Sequence, residues 1–428
     1  MVEFKRGFDF IIATMRAFNS QIFTYHNHAF LKLLAFRILI VLAYQIMAVT
    51  VGWHIYEITH DPLSLGLVGL VEVIPYFACA LFAGYAVDHH CSRRFFGVLA
   101  ACMLAVSALV LTIISTDWAQ YYFGTSTLWI YGALAFSGFG RAFIAPSHGA
   151  LFAIILPRED YARATGIGSS LFQVGLVVGP VLGGLLVGFA SKSMAYTIAA
   201  LLCVCAAFAI WSIKVKEPPP AASAPVFTSI AQGLGFVFNH QIVLGALSLD
   251  MFAVLFGGAV AMLPAFIQDI YHIGPEGLGL LRAAPAAGAI VTGLWLARHP
   301  INLHAGRWLL GAVAGFGLCI IGFGLATSVW VAGALLALSG VCDGVSVILR
   351  QTILQLVTPD NMRGRVSAIN GIFIGSSNEL GAFESGFAAK LMGLVPSVIF
   401  GGLMTLGVVA ATAKLAPKLR DLELHQLQ

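Results

Sequence analysis

Charge is scarce in this chain: Asp, Glu, Lys and Arg together make up 10% of its 428 residues. A soluble domain carries about 25%, so this chain cannot clothe a water-facing surface of ordinary size. The roughly ten-residue alternations of a membrane barrel strand are also missing, which excludes an outer-membrane type of fold. No small-residue cleavage site precedes the first long apolar run, so a cleaved leader is not expected. Metal-ligand helix pairs, nucleophile elbows and phosphate-binding loops are lacking in any suitable context, as is a soluble segment large enough to house them. No enzyme, cofactor or metal site is therefore expected. Cysteine is sparse as well: Cys79, Cys91, Cys102, Cys203, Cys205, Cys319 and Cys342 are spread through the chain, and only Cys91 falls in a loop. No disulfide framework follows. The small net charge of +4 excludes a nucleic-acid surface and reports membrane orientation instead.

What is present is apolar length. The chain is 59% hydrophobic, with a mean hydropathy of +0.91. A spanning helix needs about 20 apolar residues, and the pattern predicts twelve: 33–57, 64–87, 95–115, 128–155, 164–190, 194–213, 241–268, 278–297, 308–328, 330–357, 365–390 and 394–413. Residues 1–32 mix Lys5, Arg6, Arg16 and Lys32 with Phe4, Phe8, Phe10, Ile11, Ile12 and Phe18, the composition of an amphipathic segment lying on the bilayer surface. Residues 33–213 and 241–414 form two six-helix bundles. The linker 214–240, stiffened by Pro218, Pro219 and Pro220, joins them, and 415–428 is a tail.

One set of loops, with both tails, holds Lys5, Arg6, Arg16, Lys32, Arg93, Arg94, Arg158, Arg163, Lys214, Lys216, Arg298, Arg307, Arg363, Arg365, Lys414, Lys418 and Arg420; the other set holds Lys192 and Lys390. Cationic loops stay in the cytoplasm, so both termini are expected there. The halves also repeat: a shift of 202 residues lays Gly138 on Gly340, Pro157 on Pro359, Arg163 on Arg365, Gly179 on Gly381 and Gly184 on Gly386 without a gap. Parallel repeats of this kind mark transporters that rock two bundles about a midplane site.

An ionisable group at bilayer depth costs a few kcal/mol even on mild scales, so each should face protein or water. Spans 3, 6, 9 and 12 hold no Asp, Glu, Lys or Arg and are expected on the lipid side. Spans 1, 4, 7 and 10 carry Arg37, His54, Glu57, Arg141, His148, Asp250, Asp343 and Arg350, while spans 2, 8 and 11 carry Glu72, Arg282, Glu379 and Glu384. Arg141 and His148 are seven apart and share a helical face, as do Asp343 and Arg350. Because the 202-residue shift lays Arg141 on Asp343, the two are expected to face each other as a charge pair, switching during transport or bridging the halves permanently. Glu379 and Glu384 are about 140° apart on their helix, so only one of them meets the path. As proton carriers the order is Asp343, Glu379, Asp250, then Glu72 and Glu384. Arg37 and Arg282 are expected to snorkel to the interface. His54 and Glu57, three residues apart, are expected to form a surface cluster.

After the second span the chain reads Gly84-Tyr-Ala-Val-Asp88-His-His-Cys-Ser-Arg93-Arg94. This resembles the major facilitator signature of that loop, which implies that Gly84, Asp88, Arg93 and Arg94 latch the loop to neighbouring helix ends. His89 and Cys91 stand where the family has Arg and Gly. The fifth span reads Gly175-Leu-Val-Val-Gly179-Pro180-Val-Leu-Gly183-Gly184. It resembles the antiporter motif of the same superfamily; its small residues allow close helix approach and its proline frees a carbonyl. Gly138 to Pro146, Pro157 to Asp160 and Arg350 to Asn370 resemble the enterobactin exporter family. Arg141 departs from the superfamily pattern by following the glycine pair. The resemblance implies an all-helical major facilitator fold, monomeric, in the bacterial inner membrane. It also implies proton-coupled efflux, by alternating access, of a small amphiphilic molecule such as a siderophore. A polyspecific drug pump and a lysolipid flippase are the alternatives.

Overall fold

Hydrocarbon offers no partner for a backbone amide, so a chain this apolar must close its hydrogen bonds within helices. That is the architecture of the computed structural model, which describes residues 25–89, 92–116, 118, 121, 127–217, 234–299, 301, 303–359 and 362–423. Its long helices are α1 (Tyr25–Thr59), α2 (Pro62–His89), α3 (Arg93–Ile114), α4 (Thr127–Ile155), α5 (Tyr161–Phe189) and α6 (Lys192–Trp211). They are followed by α7 (Gln241–Tyr271), α8 (Pro275–Arg298), α9 (Ala305–Leu325), α10 (Val329–Val357), α11 (Arg363–Met392) and α12 (Leu394–Leu415). The amphipathic segment up to residue 24, Cys91 and most of the linker lie outside the described residues, while 25–32 already belong to α1.

Eleven of these helices are long and apolar enough to cross a membrane; α11 is the exception. It is 30 residues long, but its polar Gly375-Ser-Ser-Asn-Glu379 stretch lowers its hydropathy. The chain is a multi-pass membrane protein. α7 departs from the single run expected: it stops at Phe256, tightens over Gly258–Met262 and widens by a turn at Phe266–Tyr271. The cause sits at Gly257 and Gly258, where a Cβ would run into the Phe316 ring and the Gly381 carbonyl respectively.

Packing follows one scheme twice. α1 lies on α5 and α6, α2 on α4, and α3 on α4 and α6; correspondingly α7 lies on α11 and α12, α8 on α10, and α9 on α10 and α12. The repeated glycines explain why the pattern survives. Gly138 leaves room for the Glu72 carbonyl of α2, and Gly340 for the Pro285 carbonyl of α8. Gly179 seats α5 on Gln45 of α1, and Gly381 seats α11 on the carbonyls of Val254 and Leu255 in α7. Even the turns repeat: His60 ends α1 and His272 ends α7, both with positive φ.

Between the two sets, α2 runs along α11 and α5 along α8. Both seams are glycine on glycine. Gly66 meets Gly386, with Cα of the latter 3.1 Å from where a Gly66 Cβ would stand, and Gly184 meets Gly279 at 2.9 Å. These contacts sit near the loops at 60–61, 190–191, 272–274 and 393, here called the outer face; the chain ends lie at the opposite, terminal face. Outer-face ion pairs tie the lysines of that side: Lys192 to Glu57 at 2.6 Å and Lys390 to Asp61 at 3.1 Å. Tyr56 of α1 donates to Asp269 of α7 at the same level.

Candidate transport site

Halfway along α4, Arg141 meets side chains from three other helices. Its Nη1 lies 2.8 Å from Glu72 Oε1 of α2 and 3.5 Å from Glu379 Oε1 of α11, and it donates to the Tyr44 hydroxyl of α1 at 2.8 Å. Tyr44 in turn donates to Glu72 Oε2 at 3.1 Å, and Ser137, one turn from Arg141, donates to Glu72 Oε1 at 3.3 Å. The guanidinium also sits over the Tyr44 ring, 4.3 Å from its centre. Helical spacing accounts for the assembly: Ser137 and Arg141 are four apart, and the α2–α4 seam at Gly138 brings Glu72 between them. Glu379 reaches across because Gly69 of α2 has no side chain, its Oε2 lying 3.0 Å from where a Cβ would stand.

This arrangement corrects the expected pairing of Arg141 with Asp343. The repeat sets equivalent residues at equal depth, but Arg141 turns toward α2 and α11, whereas Asp343 keeps to its own half. Asp343 of α10 belongs to a second group, within electrostatic reach of Asp250 and Arg350. There Arg350 Nη1 lies 2.6 Å from Asp250 Oδ2 of α7 and 3.2 Å from Asn370 Oδ1 of α11, nearer the terminal face. Burial separates the two groups. Arg350 and Asp250 keep 2% and 7% of their side-chain surface, whereas Arg141 and Glu379 keep 26% and 21%. The first pair is sealed in a core; the second is open to a space within the bundle.

The remaining expected residues are scattered. His148 stacks on Phe152, in electrostatic reach of Arg37, and so lies in the first half, away from Arg350. Arg37 does not snorkel but sits 5.3 Å over the Phe172 ring of α5. Arg282 of α8 is likewise no interface residue; it lies in electrostatic reach of Tyr44, Glu72 and Glu379. Glu384 is half-buried beside Ser385, 3.5 Å away, on a different face from Glu379. His54 and Glu57 do not pair directly: His54 is buried against Tyr196, 3.3 Å away, while Glu57 pairs with Lys192, which lies in electrostatic reach of His54. Among the described residues no group of three or more ligating side chains could hold a metal ion.

At the terminal face, Arg94 Nε meets Glu217 Oε1 at 2.6 Å and its Nη1 donates to the Ile213 carbonyl at 2.5 Å; the Arg93 amide also donates to Glu217. Glu217 is thus the acid that Arg93 and Arg94 meet, and it was hidden in the sequence as one more polar residue ahead of three prolines. A Cβ on Gly84 would meet nothing within 4 Å, and the Asp88 side chain lies outside those described. Of the antiporter motif, Gly175, Gly179 and Gly183 seat α5 on α1, whereas the Pro180 carbonyl and Gly184 approach Gly279 of α8.

Two helical sets joined at glycine seams around mid-depth charges define a membrane transporter. A family model of the Major Facilitator Superfamily matches residues 33–382, and the chain belongs to that superfamily. It is a transporter and not an enzyme. The Enterobactin exporter EntS of Citrobacter koseri is 25% identical over 394 residues, covering 88% of this chain and 92% of the relative. Among solved structures, a D-xylose-proton symporter superposes with a TM-score of 0.72 at 12% identity, over 94% of this chain and all of the other. A bacterial homologue of the lysosomal transporter Spinster, solved inward-facing and unoccupied, gives 0.71 at 14% identity over 93% and 96% of the two chains.

Proposed function

We propose that this protein is a proton-coupled exporter of a small amphiphilic organic molecule of the siderophore kind. We place it in the bacterial inner membrane with both termini in the cytoplasm, as a monomer. The cationic loops support the orientation, and the likeness to an enterobactin exporter supports the direction and the cargo class. Residues 33–213 and 241–414 are the moving bodies, and 214–240 is the linker between them.

The observation that carries the reading is the sharing of Arg141 between Glu72 of its own half and Glu379 of the other. While Glu379 is ionised, the link holds α2, α4 and α11 together beneath the outer seams, and the path opens to the cytoplasm. Two events part Arg141 from Glu379: an anionic group of the cargo arriving beside them and competing for positive charge, or a proton landing on Glu379. Either frees the halves to rock, which makes cargo and proton alternative keys to the same lock. Asp343, at the depth of Arg141 but in the second group with Asp250 and Arg350, offers the proton a station on its way to the cytoplasm.

Inside-out vesicles containing the protein test this. Enterobactin is expected to accumulate inside them when the lumen is acid, and accumulation is expected to collapse when an ionophore removes the gradient. Equal accumulation with and without the gradient would sink the coupling; accumulation of unrelated cationic drugs instead of enterobactin would favour a polyspecific pump.

A further inference from the structure

We infer that Arg282 is the cargo's anion-binding residue, selecting organic anions that carry an aromatic or apolar body; this rests on reading the central space as the cargo path. Arg282 lies three residues beyond Gly279, so the α5–α8 seam fixes its depth one turn inside the closed outer face. There it lies within electrostatic reach of Tyr44 of α1, Glu72 of α2 and Glu379 of α11. It is half-buried, yet among the described residues it forms neither an ion pair nor a hydrogen bond.

Arg141 offers the contrast. Its charge is answered by Glu72, Glu379 and the Tyr44 hydroxyl and ring. Arg282 has Glu72 and Glu379 only within electrostatic reach, and its five donors are unspent at a depth where a donor without a direct partner is costly. A carboxylate or phenolate supplies that answer, and the fork of a guanidinium holds a planar oxyanion by two parallel bonds. Tyr44, and Tyr76 beside Arg141, present aromatic faces next to the landing point. Cargo held this way lies beside Glu379 and competes with it for positive charge.

The test uses dansylglycine and its neutral methyl ester, titrated by fluorescence into the purified full-length protein without any gradient. Wild type is expected to bind the acid about tenfold to a hundredfold tighter than the ester, the worth of one hydrogen-bonded charge contact. Arg282→Gln is expected to bring the acid down to the ester's affinity while leaving the ester unchanged, and Arg282→Lys to restore part of the preference. A monodisperse Arg282→Gln protein that keeps the preference, or a wild type that shows none, overturns the inference. Because this readout needs no transport, loss of coupled export in vesicles with the preference intact would remove the exporter reading alone.

Discussion

Arg141 has one charge and two carboxylate partners, and the nearer, Glu72 at 2.8 Å, is also held by Tyr44 and Ser137. Glu379, at 3.5 Å, is therefore the partner expected to leave. Glu379→Gln removes the charge and keeps the shape; it is expected to cut gradient-driven uptake into vesicles at least about tenfold while sparing cargo binding. Asp343→Asn keeps the bridge and is expected to retain a measurable coupled rate, so loss of coupling there with a normal rate in the Glu379 variant would move the proton site. The sealed pair behaves differently. Arg350→Met strands Asp250 without its cation and is expected to cost about 3–5 kcal/mol of stability, read as a lower melting temperature of purified protein, whatever happens to transport. At this scale the sequence announced which residues carry charge at depth, but not who meets whom. Partners depend on helix rotation and on seams such as Gly138 and Gly69, which periodicity does not reveal. The place of Arg282 is not legible in the sequence, because nearness to a helix end implies snorkelling unless the neighbouring helices are known.

Glycine governs the elements. At Gly184 and Gly386 the approach between helices is backbone to backbone, leaving no room for a side chain. Gly184→Leu is expected to wedge α5 from α8 and expose the outer ends of these helices to membrane-impermeant thiol reagents at cysteines introduced there, with coupled transport lost. Gly175→Ala, whose methyl would press on the Val41 and Ile38 side chains of α1 in the same half rather than on the α5–α8 seam, is expected to leave that accessibility unchanged. The twelve spans, their order and the matched glycines were all legible, because bilayer thickness and helix packing impose strict lengths and spacings. The interruption of α7 was not. Its residues are as apolar as any neighbour's, and the break is dictated by Phe316 and Gly381, which only tertiary contact brings to Gly257 and Gly258.

At the level of the whole molecule, the two sets of helices touch near the outer face through the glycine seams, Tyr56 with Asp269 and Lys390 with Asp61. In the terminal halves of α5 and α11, by contrast, a Cβ built on Gly166, Gly371 or Gly375 would meet nothing within 4 Å. The duplication visible in the sequence thus became two equivalent seams, while the side on which they close was not encoded in any local pattern. Since the Arg141–Glu379 link needs an ionised carboxylate, the outer-closed state is stabilised at higher pH and loses that support as the pH falls. The most direct measurement is the distance between spin labels at Leu128 and Trp330, exposed residues at the outer ends of α4 and α10. It is expected to lengthen on acidification in wild type and to be long at every pH in Glu379→Gln; a short, pH-independent distance in both proteins would contradict the account.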